Sequence, residues 1–181
     1  SATSQHPEPG RNAAVQDGLW CIGIVLAATL LFLFHIGEPA RYVLDEAYYV
    51  PVARELRATL VDSNFEHPPL GKFLIAASLG WFGDEPPGWR VMNAIFGAVT
   101  LGAIYLWARA LFSERRAALM TVALSAVDHH VYVMSRVAML DGFMAAFMTG
   151  GLAAWTWAER ADVASRRRSL WDRASRRASR T

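Results

Sequence analysis

The chain has 181 residues, of which 54% are hydrophobic and 19% charged, and a formal net charge of +2 at pH 7. Its apolar residues fall in long uninterrupted runs, a pattern that favours a membrane protein over a soluble domain. The single cysteine, Cys21, excludes an intrachain disulfide and a metal site built on several thiolates. Eight arginines lie between Arg160 and Arg180, at one end of the chain. We therefore interpret the excess of basic residues as a signal of membrane topology and not of nucleic-acid binding.

The first 18 residues are polar, contain two prolines and two glycines, and are predicted to form a disordered tail. Residues 19–37 carry no formally charged side chain and are long enough, at about 1.5 Å per residue, to cross a hydrocarbon core of roughly 30 Å. We predict the first membrane span here. Arg11 is the only basic residue before this segment, whereas a signal peptide begins with a positively charged region, so a cleaved signal peptide is disfavoured.

Residues 38–88 are predicted to form a loop in which eight carboxylates face four basic side chains. Within it, residues 46–60 place apolar side chains on one helical face and predict an amphipathic interfacial helix. Residues 73–83 are apolar but too few to cross a bilayer, so we predict a second helix at the interface. If this segment were a span, all residues after it would lie on the opposite side of the membrane.

Three further spans are predicted, at residues 90–110, 117–135 and 142–158. Short basic segments follow the second and fourth spans, and the positive-inside bias places them, with both termini, in the cytoplasm. The acidic loop then lies outside. The sequence therefore predicts an all-α, multi-pass integral membrane protein with four transmembrane helices. The Arg-rich tail, residues 161–181, is interpreted as a topology determinant, with disorder or contact to anionic headgroups as alternatives.

Asp45 and Glu46 follow the predicted outer end of the first span. Of two adjacent carboxylates at a membrane surface, one could act as a general base on a hydroxyl group. A solvated acidic turn is the alternative. A metal site would need more oxygen ligands than this pair supplies.

Residues 67–72 read His-Pro-Pro-Leu-Gly-Lys, in which the two prolines favour an extended backbone followed by a helix start. Lys72 is the one lysine among 18 basic residues and stands at the opening of this helix, where an ammonium group could meet a lipid phosphate. His67 is expected near the interface. The alternative is a lysine that snorkels to headgroups beside a proline bend.

Arg136 and Asp141 join the predicted third and fourth spans at their outer ends, on the same side as Asp45. Ionisable groups at membrane depth are costly and face a cavity or one another. A structural Arg136–Asp141 pair is the alternative. Three charged clusters converging on one face indicate an active site.

At these residues the chain resembles the protein O-mannosyltransferases, C-type glycosyltransferases that take mannose from a polyprenyl (dolichyl) phosphate. The resemblance covers roughly residues 19–160, and the run at 67–72 is its most specific part. The matching motifs are DEAYY at 45–49, NFEHPPLGK at 64–72, WR at 89–90, SR at 135–136 and LD at 140–141.

The resemblance implies an inverting transfer on the extracytoplasmic face. Asp45 would deprotonate a serine or threonine hydroxyl of an acceptor protein, and this hydroxyl would attack the anomeric carbon as the lipid phosphate leaves. Glu46 would orient the acceptor or the base. Lys72 and Arg136 would stabilise the phosphate, because cationic groups in a dry site act strongly on developing negative charge.

His67 and Asp141 are expected to bind substrate or to support the site. The expected partners are a polyprenyl-phosphate-linked sugar, an acceptor protein and the lipid bilayer, without nucleic acid. No cofactor is expected, and a divalent metal is left open. The expected location is the plasma membrane of a bacterium or archaeon.

Members of this family carry more spans, so a chain of this length is expected to be part of such an enzyme and inactive alone. Two alternative functions are kept. One is transfer of aminoarabinose or another sugar from polyprenyl phosphate to a glycolipid. The other is a non-catalytic, truncated membrane subunit.

Overall fold

The computed structural model describes residues 11–178, which form seven α-helices and no β-strand. In chain order the helices are α1 (Arg11–Leu33), α2 (Glu46–Thr59), α3 (Pro69–Phe82), α4 (Pro86–Leu111), α5 (Arg115–Ala126), α6 (His129–Met134) and α7 (Leu140–Ala178). The prediction of an all-α fold is confirmed for this part of the chain.

Two of the described helical segments have the length and apolar composition needed to cross a membrane, Asn12–Leu33 and Pro86–Leu111. The 26 residues of α4 extend about 39 Å, more than the hydrocarbon core of a bilayer. These segments correspond to the predicted first and second spans. The predicted third and fourth spans do not meet the same criteria among the described helices.

Helix α4 is central, because it packs against α1, α3, α5 and α7. One apolar core, which includes Phe32 and Leu101, joins α1, α4 and α5. A second core, which includes Val50, Ile75 and Phe143, joins α2, α3 and the first turns of α4 and α7. The second core is formed largely by the two helices of the acidic loop, and it positions the residues described below.

Helix α1 begins at Arg11, so residues 11–18 are helical where the sequence predicts a disordered tail. Asp17 explains this difference. Its carboxylate is only 5% exposed, accepts a hydrogen bond from the Tyr105 hydroxyl at 3.0 Å, and pairs with Arg109 at 3.1 Å and Arg115 at 3.0 Å. Because these partners lie far along the sequence, local composition could not reveal them. Residues 1–10, the rest of the predicted tail, lie outside the described residues.

The predicted third span, 117–135, is not a single helix. Helix α5 ends at Ala126, and α6 begins at His129 after a break. The carboxylate of Asp128 accepts a hydrogen bond from the Val131 amide at 3.0 Å and so caps the start of α6. Aspartate favours this position because its short side chain satisfies an amide that the first helical turn leaves unpaired.

Helix α7 continues 20 residues beyond the predicted end of the fourth span at residue 158, through most of the Arg-rich segment. Arginine and alanine are strong helix formers, and no glycine or proline follows Gly151. An ion pair between Arg166 and Asp162, one turn apart at 2.9 Å, supports this part of the helix. The Arg-rich segment is therefore helical as far as Ala178, and residues 179–181 lie outside the described residues.

Candidate active site

Both short helices predicted within the acidic loop are present, as α2 and α3. Pro68 has an extended backbone, with φ −54° and ψ 139°, and Pro69 opens α3. The fixed φ of proline is suited to this first helical turn. The 14 residues of α3 extend about 21 Å, which is too short to cross a bilayer.

Gly71 lets the start of α3 approach the start of α7. A Cβ atom at this position would lie 2.6 Å from Leu140 Cδ2 and 3.2 Å from Phe143 Cδ2. A residue larger than glycine would therefore push the two helix starts apart. This close approach brings the run at residues 67–72 next to the first turn of α7, which carries Asp141.

The side chain of Glu46 is fully buried, and both of its carboxylate oxygens are hydrogen-bonded. Its carboxylate forms a bidentate pair with Arg90, with Nε–Oε1 and Nη2–Oε2 distances of 2.7 Å. The backbone amides of Val43 and Ala138 donate to the same two oxygens at 2.9 and 2.8 Å. Each oxygen thus accepts two hydrogen bonds, and the Ala138 bond fastens the start of α2 to the segment that precedes α7.

Arg90 also fixes the connection between α1 and α2. Its Nη1 group donates to the carbonyls of Ile36 at 3.0 Å and Pro39 at 3.1 Å, and Nη2 donates to the carbonyl of Arg41 at 2.9 Å. The side chain is only 1% exposed. Arg90 lies near the start of α4, a helix long and apolar enough to cross a membrane, and a buried charge in such a place needs partners. A lone arginine at the start of a long apolar segment is therefore the sequence signal that indicates its structural role.

Asp45, in contrast, has a free carboxylate. It immediately precedes α2, is partly buried, and forms no capping hydrogen bond through its side chain. Within residues 11–178 this carboxylate has no hydrogen bond or ion pair at all. Two adjacent acids therefore differ sharply, since Glu46 is locked into the fold and Asp45 is available to a ligand.

Tyr49 lies beside two of the predicted site residues, Asp45 and His67. It is one helical turn after Asp45, is 5% exposed, and its ring meets the ring of His67 edge-on at a centroid distance of 5.6 Å. Burial raises the pKa of the Tyr49 hydroxyl, and the negative charges of Asp45, Asp141 and Glu66 raise it further. The structure thus places the ring of His67 against Tyr49, and the charges of Asp45 and Asp141 act on the same phenol.

Lys72 is turned into the loop that precedes its own helix. Its ammonium group is fully buried, pairs with Asp62 Oδ2 at 2.5 Å, and donates to the carbonyls of His67, at 3.0 Å, and Asn64. All three N–H donors are used, so the side chain organises residues 62–67. Direct contact between Lys72 and a phosphate stays a prediction.

This arrangement predicts that acid loosens the segment at residues 62–67. The hydrogen bond from Lys72 lowers the pKa of Asp62, so the pair contributes stability at neutral pH and is lost as the pH falls through that lowered value. After correction for the intrinsic rates, amide hydrogen exchange in this segment should accelerate in acid. An Asp62→Asn variant should exchange rapidly already at neutral pH.

The matched control is Asp84→Asn, because Asp84 pairs with Arg54 elsewhere in the same loop. This change should leave exchange at residues 62–67 unaltered. Equal exchange in Asp62→Asn and the unmodified protein at neutral pH would show that the Lys72 pair does not hold the segment.

Arg136 lies against the segment that follows α1. Its Nη2 group donates to the carbonyl of His35 at 2.9 Å, Nη1 donates to the Tyr132 hydroxyl, and the guanidinium lies over the Tyr132 ring at 5.0 Å. No ion pair joins Arg136 to Asp141 in the described part of the chain. Arg136 is partly exposed and retains N–H donors for a ligand.

No group of three or more histidine, cysteine or acidic side chains that could hold a metal ion occurs among residues 11–178. Tyr49 and Arg90 have no assigned role in the sequence-based expectations. Tyr49 has the spacing of an apolar core residue on α2, so its contact with the His67 ring became visible only in three dimensions.

Residues 66–171 match the family model described as dolichyl-phosphate-mannose-protein mannosyltransferase. A polyprenol-phosphate-mannose–protein mannosyltransferase of Corynebacterium glutamicum is 38% identical over 150 residues, covering 75% of this chain and 28% of the relative. A protein of the same name from Mycobacterium tuberculosis is 29% identical over 140 residues, covering 72% of this chain and 27% of the relative. An undecaprenyl phosphate-alpha-4-amino-4-deoxy-L-arabinose arabinosyl transferase of Pseudomonas fluorescens is 28% identical over 109 residues, covering 54% and 19%.

The chain thus spans less than a third of the length of the curated mannosyltransferases that it matches. No solved structure matches it significantly. The family match contains the run at 67–72, Arg90, Arg136 and Asp141, whereas Asp45 and Glu46 precede it. Since the family model matches more than half of this sequence, the chain belongs to the dolichyl-phosphate-mannose-protein mannosyltransferase family.

Proposed function

We propose that this chain supplies the catalytic base of an enzyme that moves mannose from a polyprenyl phosphate to serine or threonine hydroxyls of proteins. Asp45 takes the hydroxyl proton, the hydroxyl oxygen bonds to the anomeric carbon with inversion, and the bond from that carbon to the phosphate oxygen breaks. The lipid phosphate leaves with the electron pair. The observation that carries this proposal is the free carboxylate of Asp45 beside the fully bonded carboxylate of Glu46.

A general base needs an accessible lone pair within hydrogen-bond reach of the proton that it removes. Glu46 offers none, because Arg90 and two backbone amides occupy both of its oxygens. Protonation of Glu46 would also leave the buried Arg90 charge uncompensated. We therefore assign proton removal to Asp45 and the support of its loop to Glu46. Orientation of the acceptor by Glu46 would require it to give up one of these bonds.

The leaving phosphate is assigned to Arg136. A phosphate accepts hydrogen bonds from guanidinium groups, and Arg136 is partly exposed and has unused N–H donors. The carboxylates around Tyr49 would repel a phosphate placed among them. We propose that Lys72 acts by holding His67 in place. A direct phosphate contact would require it to leave one of its three partners.

We further propose that the chain crosses the plasma membrane of a bacterium or archaeon four times, with both termini in the cytoplasm. Helices α5 and α6 together would form the third crossing, and the first half of α7 the fourth. Arg109 and Arg115 gather with Asp17 at one end of α4, whereas Arg90 and the acidic loop lie at its other end. By the positive-inside bias, the acidic loop then lies outside.

The decisive test uses the full-length enzyme in lipid vesicles with polyprenyl-phosphate-mannose and a peptide that contains serine and threonine. We expect mannose on the hydroxyl side chains, with inverted anomeric configuration by NMR, and no product on an alanine-substituted peptide. The Pseudomonas fluorescens relative motivates a second arm, with a polyprenyl-phosphate aminoarabinose donor and a glycolipid acceptor. Product in the second arm alone would overturn the proposal.

A further inference from the structure

We propose that Asn93 is a positioning residue for the transfer reaction. It fixes the α6–α7 connection, residues 135–139, which carries Arg136. Because Arg136 is the proposed ligand of the leaving phosphate, the role of Asn93 rests on the proposed function. It goes further by giving a role to a buried amide that proton removal by Asp45 does not use.

The α6–α7 connection has buried residues on either side of one partly exposed charge. Ser135 and residues 137–139 are buried, whereas Arg136 is partly exposed. Since the connection is not helical, its backbone groups need partners other than those of a regular helix. The amide of Ala138 donates to Glu46 Oε1 at 2.8 Å. That bond fixes the connection from the side of α2.

Asn93 fixes the same connection from the side of α4. Its Nδ2 group donates to the carbonyl of Met139 at 2.7 Å, and the side chain is 0% exposed. The orientation of the amide follows from this contact, because a carbonyl oxygen only accepts and a reversed amide would place two oxygens together. Glu46 and Asn93 thus bind the adjacent residues Ala138 and Met139 from two different helices.

Small residues let this part of α4 lie close to its neighbours. A Cβ atom at Gly97, one turn after Asn93, would overlap the Ser135 side chain and lie 3.2 Å from Ser135 Cα. A Cβ atom at Gly142, near the start of α7, would lie 3.0 Å from Asn93 Nδ2. The α6–α7 connection and the start of α7 are therefore packed tightly against this face of α4, which limits where Arg136 can lie.

The unpaired oxygen of Asn93 argues against a role in stability alone. Oδ1 is buried and has no hydrogen-bond partner among residues 11–178. A buried acceptor without a partner costs stability, so an apolar residue of similar shape would remove that cost. The hydrogen bond that Asn93 does form is with the backbone three residues after Arg136.

The position of Arg136 matters because negative charge develops on the phosphate oxygen as the bond to the anomeric carbon breaks. A guanidinium stabilises this charge best when its N–H groups already point at that oxygen. Contacts with the His35 carbonyl, at 2.9 Å, and with the Tyr132 hydroxyl hold the guanidinium itself. Asn93 holds the backbone from which the Arg136 side chain extends.

The test uses Asn93→Leu in the full-length enzyme, since leucine has nearly the shape of asparagine but no N–H donor. We expect kcat for transfer from polyprenyl-phosphate-mannose to fall about ten- to a hundredfold, as for a displacement of roughly 1 Å in a catalytic group. KM for the acceptor peptide should stay unchanged, because Arg136 is assigned to the donor. The unfolding temperature in detergent should change little, since the unpaired Oδ1 atom is removed together with the bond.

Thr100→Val is the matched control. Thr100 is another buried polar residue of α4, 6% exposed, but its hydroxyl donates to the Phe96 carbonyl of the same helix at 3.0 Å. This variant loses a hydrogen bond within α4 and none to the α6–α7 connection. Its kcat should therefore match that of the unmodified enzyme.

A double variant shows whether Asn93 acts through Arg136. If it does, Asn93→Leu should cost nothing further in kcat once Arg136→Gln has removed the phosphate contact. A purely structural role would lower kcat by the same factor with and without Arg136, and that result would overturn the positioning role. An unchanged kcat in Asn93→Leu alone would overturn it as well.

If Asn93→Leu does not fold, Asn93→Ala, which adds no atoms to this tightly packed place, decides in the same way. Failure of both variants to fold would show that Asn93 maintains the fold, and the positioning role would be wrong. Failure of the proposed function looks different, because the unmodified enzyme would then transfer no mannose, and the positioning role would be overturned with it. Mannose transfer at full rate by both the unmodified enzyme and Asn93→Leu would overturn the positioning role alone.

Discussion

Replacement of Asp45 by asparagine should lower kcat for mannose transfer by about a hundred- to ten-thousand-fold, the usual contribution of a positioned general base. Asparagine has nearly the same shape but cannot take the proton of the acceptor hydroxyl. Because the Asp45 carboxylate forms no hydrogen bond or ion pair among the described residues, the fold should lose little stability. Single-turnover transfer from a labelled donor gives the rate, and thermal unfolding in detergent checks the fold.

Glu38→Gln is the matched control for this substitution. Glu38 is an exposed acid of the same loop, and its side chain has no partner among residues 11–178. Transfer by this variant should match that of the unmodified enzyme. Full activity in Asp45→Asn would mean that another group removes the proton, and the contrast between Asp45 and Glu46 would then have no catalytic meaning.

The helices of the acidic loop could be predicted from sequence because their signals are local. The amphipathic spacing after Asp45 predicts α2, and the proline pair before a short apolar run predicts α3. The break between α5 and α6 also had a local signal in Asp128, whose polar side chain favours a helix start over a helix interior. Local chemistry was therefore sufficient to predict α2 and α3.

The different roles of Asp45 and Glu46 could not be read from their adjacency. What separates them is contact with Arg90 and with the Ala138 amide, which follow Glu46 by 44 and 92 residues. In the same way, the helical start of α1 depends on contacts from Asp17 to α4 and α5. Such pairings depend on how the helices pack, which composition and periodicity do not specify.

Replacement of Arg90 by alanine should destabilise the protein by about 3–5 kcal/mol, the usual cost of removing one partner from a buried ion pair. The Glu46 carboxylate would stay buried without its counter-charge, and the carbonyls of Ile36, Pro39 and Arg41 would lose their donor. The loop before Asp45 would then be released, so transfer activity should fall as well. Thermal or denaturant unfolding of the full-length protein measures the loss of stability.

Arg54→Ala is the matched control, because Arg54 forms the other arginine–carboxylate pair of this loop, with Asp84 at 2.7 Å. Its side chain and that of Asp84 are 38% and 44% exposed, so solvent already screens the pair. We expect a loss of about 1 kcal/mol or less. Similar losses in Arg54→Ala and Arg90→Ala would contradict a special role for the buried pair.

Joint replacement of both partners separates the stability of the pair from its role in positioning Asp45. Apolar residues of similar volume often replace a buried ion pair at little cost in stability. The double variant Glu46→Leu with Arg90→Met should therefore unfold at a higher temperature, or at a higher denaturant concentration, than Arg90→Ala. Transfer activity should nevertheless stay low, because the bonds to the Val43 and Ala138 amides are also lost. If the double variant regained both stability and activity, Glu46 and Arg90 would contribute only to folding, and Asp45 would not depend on them for its position.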